Sequence, residues 1–302
     1  MEEMTTGLCP KCGHTLQIPA ELERFSCMYC GERLTKRQLL MQPEEASCSE
    51  EDCAVSFDHA VSRLGWCVQN FRGYQKKILR DAFFEAFETY ETGCAPVIQE
   101  LNSGVRPERQ TELLDRAAEA MLDELAAGWM GKNDMEDEKV ILAIFFVPMV
   151  RKLQLPVSEE FVSLLQKKWV ERYPKSPFYL GDYESISGGF RKKFLGLCFI
   201  TTAVCQELGK PDDCAELTAF RAFRDGYLAA QPDGEALIRE YYNIAPGIVT
   251  CINTCSDRHA SYERIREQYL TPCYEDLLAG RNADCKTRYV QMVRDLERKY
   301  LN

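Results

Sequence analysis

The sequence predicts a mainly α protein: a helical, bundle-like body of one or two subdomains with a small N-terminal zinc ribbon. Three observations carry that reading. Apolar residues recur at helical spacing over most of the chain beyond residue 60, alternating runs are nearly confined to the first 36 residues, and those residues hold two Cys-x-x-Cys pairs.

The helical elements follow in order. Ile78, Ala82, Phe83, Ala86, Phe87 and Tyr90 fall on one helical face, as do Leu114, Ala117, Ala118, Met121, Leu122 and Leu125. Ser158 with Glu159 and Glu160 reads as a capped start, and Lys167, Lys168 and Arg172 sit near the stop at Pro174. Thr271-Pro272 opens a short helix that Gly280 closes. Tyr289, Met292, Val293, Leu296 and Tyr300 give the last helix its apolar face. The expected organisation is a zinc ribbon over 1–36, an acidic linker over 37–59, helices over 60–175, a loop over 176–190 and a second helical region over 191–302. The linker assignment rests on residues 41–58, which carry six acids and no base.

The totals limit the function. The 302 residues are 45 % hydrophobic and 28 % charged, with a formal net charge of −10. That charge argues against a general nucleic-acid binder, which needs cations to displace phosphate counterions. Residues 1–40 hold five basic and five acidic side chains, so the zinc module has no basic stripe either, and a protein partner is expected. The longest apolar run, Val140 to Val150, is too short to cross a bilayer. Met1-Glu2-Glu3-Met4 lacks the basic start of a secretory signal, which points to the cytoplasm. In a reducing compartment the fifteen cysteines are metal ligands, reactive thiols or small buried hydrophobes.

Cys9-Pro10-Lys11-Cys12 and Cys27-Met28-Tyr29-Cys30 stand fourteen residues apart, and a glycine follows each pair. Each pair wraps a tight turn with both thiolates aimed at one ion, and two such turns complete a tetrahedral four-sulfur zinc site. Four sulfur ligands leave no open position, so this zinc is structural. The strands expected between the pairs are Thr15–Ile18 and Arg24–Ser26. Cys48 with Cys53, and Cys251 with Cys255, are weaker metal candidates, because no partner pair follows at ligand spacing.

From Cys198 the chain reads Cys-Phe-Ile-Thr-Thr-Ala, followed by Leu217, Phe220-Arg221-Ala222-Phe223-Arg224-Asp225, Tyr227-Leu228, Tyr241-Tyr242 and Ala245-Pro246. Over about fifty residues this resembles the C-terminal segment of bacterial proteins known by a Cys-Phe-Ile box. The resemblance implies a helical module and brings no assigned activity with it. Cys205 and Cys214 depart from the residues compared in that family.

Read as chemistry, Thr201 or Thr202 caps the first helix of the box and Asp212 or Asp213 the second, while a third starts at Asp233 and ends before Pro246. Arg221 and Arg224 share a face, and Arg221 pairs with Asp225 at i,i+4. The leading expectation is a non-enzymatic adaptor or regulatory protein. The alternative is a thiol-dependent enzyme or redox sensor using Cys198 with Arg221 and Arg224 as an anion clamp. Its base would be one of only three histidines, His14, His59 and His259.

Overall fold

Among the described residues, four short strands are followed by a succession of helices. The computed structural model describes residues 4–9, 14–36, 39, 50–131, 133–191 and 198–302. The strands β1 (Met4–Leu8), β2 (Thr15–Pro19), β3 (Arg24–Ser26) and β4 (Arg33–Thr35) pair as two antiparallel hairpins, with Leu8 opposite Thr15 and Ser26 opposite Arg33. Only the middle two were expected. β2 alternates, with Leu16 and Ile18 buried and Thr15, Gln17 and Pro19 exposed. Those two residues form a small core with Cys9, Cys27, Leu34 and Leu39.

Helices follow from residue 50: α1 (Glu50–Leu64), α2 (Trp66–Gln69), α3 (Phe83–Gly104), α4 (Gln110–Ala127), α5 (Asp134–Ile141), α6 (Val147–Leu153), α7 (Ser158–Arg172) and α8 (Tyr183–Arg191). A π-helical turn, Leu142–Phe146, joins α5 to α6. The box region supplies α9 (Phe199–Glu207), α10 (Ala215–Ala222), α11 (Gly234–Cys255), α12 (Arg258–Ile265), α13 (Thr271–Leu278) and α14 (Asn282–Tyr300). Among the described residues, no helix is long and apolar enough to cross a membrane.

The expected faces of α4 and α14 are the buried ones: Leu114, Ala117, Ala118, Met121, Leu122 and Leu125 on α4, and Met292, Val293 and Leu296 on α14. Two stretches expected as connections are helical. Residues 50–59 of the acidic linker are the first turns of α1, where Cys53 and Phe57 are buried and α1 packs along α3. Acid in a first turn is favourable because it meets the positive end of the helix dipole, so Glu50, Glu51 and Asp52 open a helix here. Residues 37, 38 and 40–49 of that linker lie outside the described residues. In the expected loop over 176–190, Tyr183 begins α8, started by Asp182, whose carboxylate accepts from the Ser185 amide at 2.8 Å. Ile186 and Phe190 bury one face of it, and the Phe190 ring stacks on Phe83 at 4.3 Å.

One core runs through both helical regions. They meet where the segment before α3 crosses α11. Arg80 donates its amide to the Asn243 carbonyl at 2.9 Å. A Cβ on Gly247 would stand 1.9 Å from the Ile78 carbonyl oxygen, so only glycine admits this crossing. Helix α11 runs through Pro246, where a stop was expected: Pro246 and Gly247 lie mid-helix among buried residues, at the close backbone approach to Ile78.

Candidate functional site

In the N-terminal module, the backbone turn that carries Cys27 and Cys30 is in place. The Gly31 amide donates to the Cys27 carbonyl at 2.9 Å, and Gly31 has φ +71°, a left-handed conformation that glycine adopts without strain. The Cys9 amide donates to the His14 carbonyl at 2.9 Å. The sulfurs of Cys9, Cys27 and Cys30 all lie within 4.8 Å of one another, and those of Cys9 and Cys30 are 3.8 Å apart. A tetrahedral site with metal–sulfur bonds of ~2.3 Å has an edge of ~3.8 Å, so this cluster fits a metal held by thiolates. Cys12, the fourth expected ligand, lies outside the described residues, as does Cys48. Among the described residues this is the only group of three or more metal-ligating side chains at such spacing. Cys53 is buried on α1, and Cys251 and Cys255 are buried on α11. Burial pushes the Cys251 thiol well up and the Cys255 thiol up to about 11.

His14 is not drawn into the cluster. Its ring stacks on Tyr29 at 4.2 Å, and its Nε2 lies 3.0 Å from Oε1 of Gln154 at the end of α6, which ties the module to the body. Between the two cysteines of the second turn, Met28 and Tyr29 are 76 % and 56 % exposed.

The second candidate centres on Cys198. It occupies the N-cap of α9, so that helix starts at Phe199, and neither Thr201 nor Thr202 caps it. Thr201 is buried instead, with its hydroxyl 3.2 Å from that of Tyr289. The Tyr241 hydroxyl accepts from the Ile200 amide at 3.0 Å, satisfying one of the free donors of the first turn. Arg224 Nη1 donates to the Cys198 sulfur at 3.6 Å and to the Tyr242 hydroxyl at 3.0 Å. Burial raises the Cys198 thiol above its ordinary range, while the Arg224 and Arg221 charges pull it back down. A cavity of about 60 Å³ lies beside these groups, lined by Cys198, Phe220, Arg224, Ile238 and Tyr241 among others.

The arginine clamp of the alternative reading does not assemble. Helix α10 gives way at Phe223 to a π-helical turn, Phe223–Leu228, which breaks the i,i+3 and i,i+4 register. Arg224 is thereby turned inward, and its fork closes on its neighbour Asp225, with Nε and Nη2 at 2.7 and 2.9 Å. Arg221 instead donates to the Asp212 carbonyl and carboxylate, each at 2.7 Å. The expected Arg221–Asp225 pair is therefore replaced by Arg221–Asp212 and Arg224–Asp225. Cys214, rather than Asp212 or Asp213, holds the N-cap position of α10, while Asp233 does precede α11 as expected. The three histidines are engaged elsewhere: His14 as above, His59 with Glu100 at 2.7 Å and His259 with Glu207 at 3.4 Å.

A polar cleft was not anticipated from the sequence. It measures about 460 Å³ and is lined by Gln75, Asp137, Lys139, Ser176, Cys255 and Lys299 among others. Lys139 is 4 % exposed and donates to Glu136 and, at 2.8 Å, to Ser176. Among the described residues, the buried Gln75 side-chain oxygen has no hydrogen-bond partner. Burial, with Asp134 and Glu136 nearby, holds the Asp137 carboxyl above the usual carboxylate range. Nearby, Glu138 is fully buried and accepts from Arg72 Nε and Trp129 Nε1, each at 2.8 Å. A helix start rich in acid reads as solvated from sequence alone, and only the fold turns Glu138 and Lys139 inward.

No protein-family model, curated protein or solved structure matches the chain.

Proposed function

We propose that the chain is a non-enzymatic adaptor whose N-terminal ribbon, held by one structural zinc on Cys9, Cys12, Cys27 and Cys30, presents a contact surface to a protein partner. The observation that carries this reading is the second cysteine turn. Its flanking thiols lie in the three-sulfur cluster, and the two residues between them, Met28 and Tyr29, face solvent. A module this small gains its fold from the metal, so an exposed aromatic and thioether on that turn form a rigid presented pair. The balanced charge of the module favours protein over nucleic acid. The segment from Cys198 to Pro246 serves in this reading as the Cys-Phe-Ile box, a helical module built into the body.

The test is affinity capture with the full zinc-loaded chain, set beside Met28→Glu/Tyr29→Glu and Cys27→Ser. A set of proteins held by the native chain and lost from both variants supports the reading. Recovery of the same set by both variants removes it, and zinc-dependent retention of nucleic acid in place of protein does the same.

A second reading, the thiol enzyme or redox sensor at Cys198, draws on the Arg224–Cys198 contact and the adjoining cavity. It ranks below the first because Arg221 pairs with Asp212 and the three histidines are engaged elsewhere, so among the described residues no histidine stands by as a base for the thiol.

A further inference from the structure

Among the described residues of the helical body, Cys67 and Cys94, Cys273 and Cys285, and Cys205 and Cys214 sit close together as pairs of thiols. Cys67 with Cys94 and Cys273 with Cys285 are fully buried, and each pair packs as small apolar side chains do. The third pair differs. Cys205, in the last turn of α9, and Cys214, before the first turn of α10, have sulfurs 3.8 Å apart. Cys214 is half-buried and reachable from solvent. Cys205 also lines a cavity of about 250 Å³, together with Thr201, Lys210, Glu216 and Arg266 among others.

The connection between them holds this geometry. The Lys210 amide donates to the Cys205 carbonyl at 2.9 Å, and Gly209 turns the chain with φ +68°. The Cys214 amide donates to the Pro211 carbonyl at 3.1 Å, and Lys210 Nζ reaches across to Glu216. Arg221 pins Asp212 from the far side. The sulfurs stand 3.8 Å apart and need to close to a bond length of about 2.05 Å.

We propose that Cys205 and Cys214 are a peroxide-responsive dithiol that closes to a reversible disulfide linking the end of α9 to the start of α10. Cys214 attacks first, being the more accessible; burial and the neighbouring Cys214 hold the Cys205 thiol up to about 12. The Cys214 thiolate attacks one oxygen of hydrogen peroxide and the O–O bond breaks. Hydroxide leaves and takes up the thiol proton as water, giving a sulfenic acid on Cys214. The Cys205 sulfur then attacks the Cys214 sulfur, the S–O bond breaks, and the hydroxyl departs with the Cys205 proton as a second water. Peroxide is reduced by two electrons, and the two thiols are oxidised to one disulfide. A dithiol reductant reverses it by exchange. The inference stands apart from the adaptor reading, because neither thiol belongs to the ribbon.

The experiment uses the reduced, zinc-loaded full chain, treated with hydrogen peroxide, blocked with a maleimide and cut after Phe199, Glu207 and Glu216. Those cuts place Cys198, Cys205 and Cys214 on separate pieces. The expected product is residues 200–207 joined to 208–216, two hydrogens lighter than the sum of the free pieces. It should be released by dithiothreitol and missing from Cys205→Ala and Cys214→Ser. Circular dichroism of those variants checks that the helices persist. Alkylation of both thiols after peroxide treatment overturns the proposal, as does a stable sulfinic acid on Cys214 or pairing of either thiol with another cysteine. The native chain alone decides these outcomes.

Discussion

Arg224 Nη1 lies 3.6 Å from the Cys198 sulfur, and the same nitrogen donates to the Tyr242 hydroxyl at 3.0 Å, so one buried guanidinium joins the start of α9 to the middle of α11. Its Nε and Nη2 also donate to Asp225, which stays mostly in solvent. Arg224→Ala should therefore destabilise the chain by about 1–3 kcal/mol, the cost of leaving buried hydrogen-bond partners unmatched. Urea denaturation followed by circular dichroism measures it. A change below about 0.5 kcal/mol, the range of an ordinary surface substitution, would mean the contact holds nothing together.

The thiol itself gives a second prediction. Burial raises Cys198 and the Arg224 charge opposes that rise, so the thiolate forms only above the ordinary thiol range. In the native chain Cys198 should label more slowly than Cys214, and its labelling midpoint should lie above that of a free thiol. Arg224→Ala should move the midpoint further up and Arg224→Lys less so, because lysine keeps the charge. Rapid labelling with a depressed midpoint would instead make Cys198 a reactive nucleophile and raise the thiol-enzyme reading to first place.

Metal content is the third. Native chain should carry one zinc, and Cys27→Ser should lose it while keeping most of its helical signal, because the ribbon core and the body core are separate clusters. Two equivalents of tightly bound metal would reveal a further site. Collapse of the helical signal in Cys27→Ser would show that the body depends on the ribbon.

Much of this was legible in the residues, and the failures share a cause. Helical faces such as Leu114 to Leu125 are local patterns and survive into the fold, as does the clustering of Cys9, Cys27 and Cys30. What failed was the reading of element ends and registers, which tertiary contacts decide. Pro246 reads as a stop until Ile78 is seen to cross at Gly247. Arg221 and Asp225 read as an i,i+4 pair until the π-turn at Phe223 shifts the register. The acids of residues 50–52 read as linker until Phe57, later in the same helix, is found buried against α3. The polar cleft left no sequence signal, since Gln75, Lys139 and Ser176 meet only through packing.

Acid sensitivity gives the fourth prediction. Asp276 on α13 accepts from Arg281 at 2.8 and 3.0 Å and from Arg288 at 3.4 Å, and these hydrogen bonds hold its carboxyl below the usual 3.8. A carboxyl depressed in the folded state stabilises fully above its unfolded value, and that contribution is lost as pH falls through the folded value. Asp276→Asn should thus melt lower than the native chain at pH 7, with the gap narrowing below about pH 4. Glu124, Asp137 and Glu297 are raised by burial and act with the opposite sign, so the informative quantity is the difference between the two chains. A gap that stays constant from pH 7 to pH 3 would assign Asp276 a packing role without charge.

The last prediction concerns Glu138, which is fully buried yet lies in a run of acids that looks solvated. Its two oxygens are divided between Arg72 and the Trp129 indole, and Arg72 Nη2 also donates to the Gly128 carbonyl at 3.0 Å. Arg72 itself reaches solvent, so removing it leaves the buried carboxylate with the indole and whatever water enters, and Arg72→Leu should cost about 1–3 kcal/mol. Removing the carboxylate as well takes away the group that is expensive to bury. Arg72→Leu/Glu138→Leu should therefore be more stable than Arg72→Leu alone, because replacing both partners leaves no unmatched buried acceptor. A double-mutant cycle by urea denaturation measures the coupling. If Arg72→Leu costs less than about 1 kcal/mol, or if the double variant is the less stable of the two, Glu138 is not held in place by Arg72, and the packing of Trp129 against Trp169 and Tyr173 must position it instead.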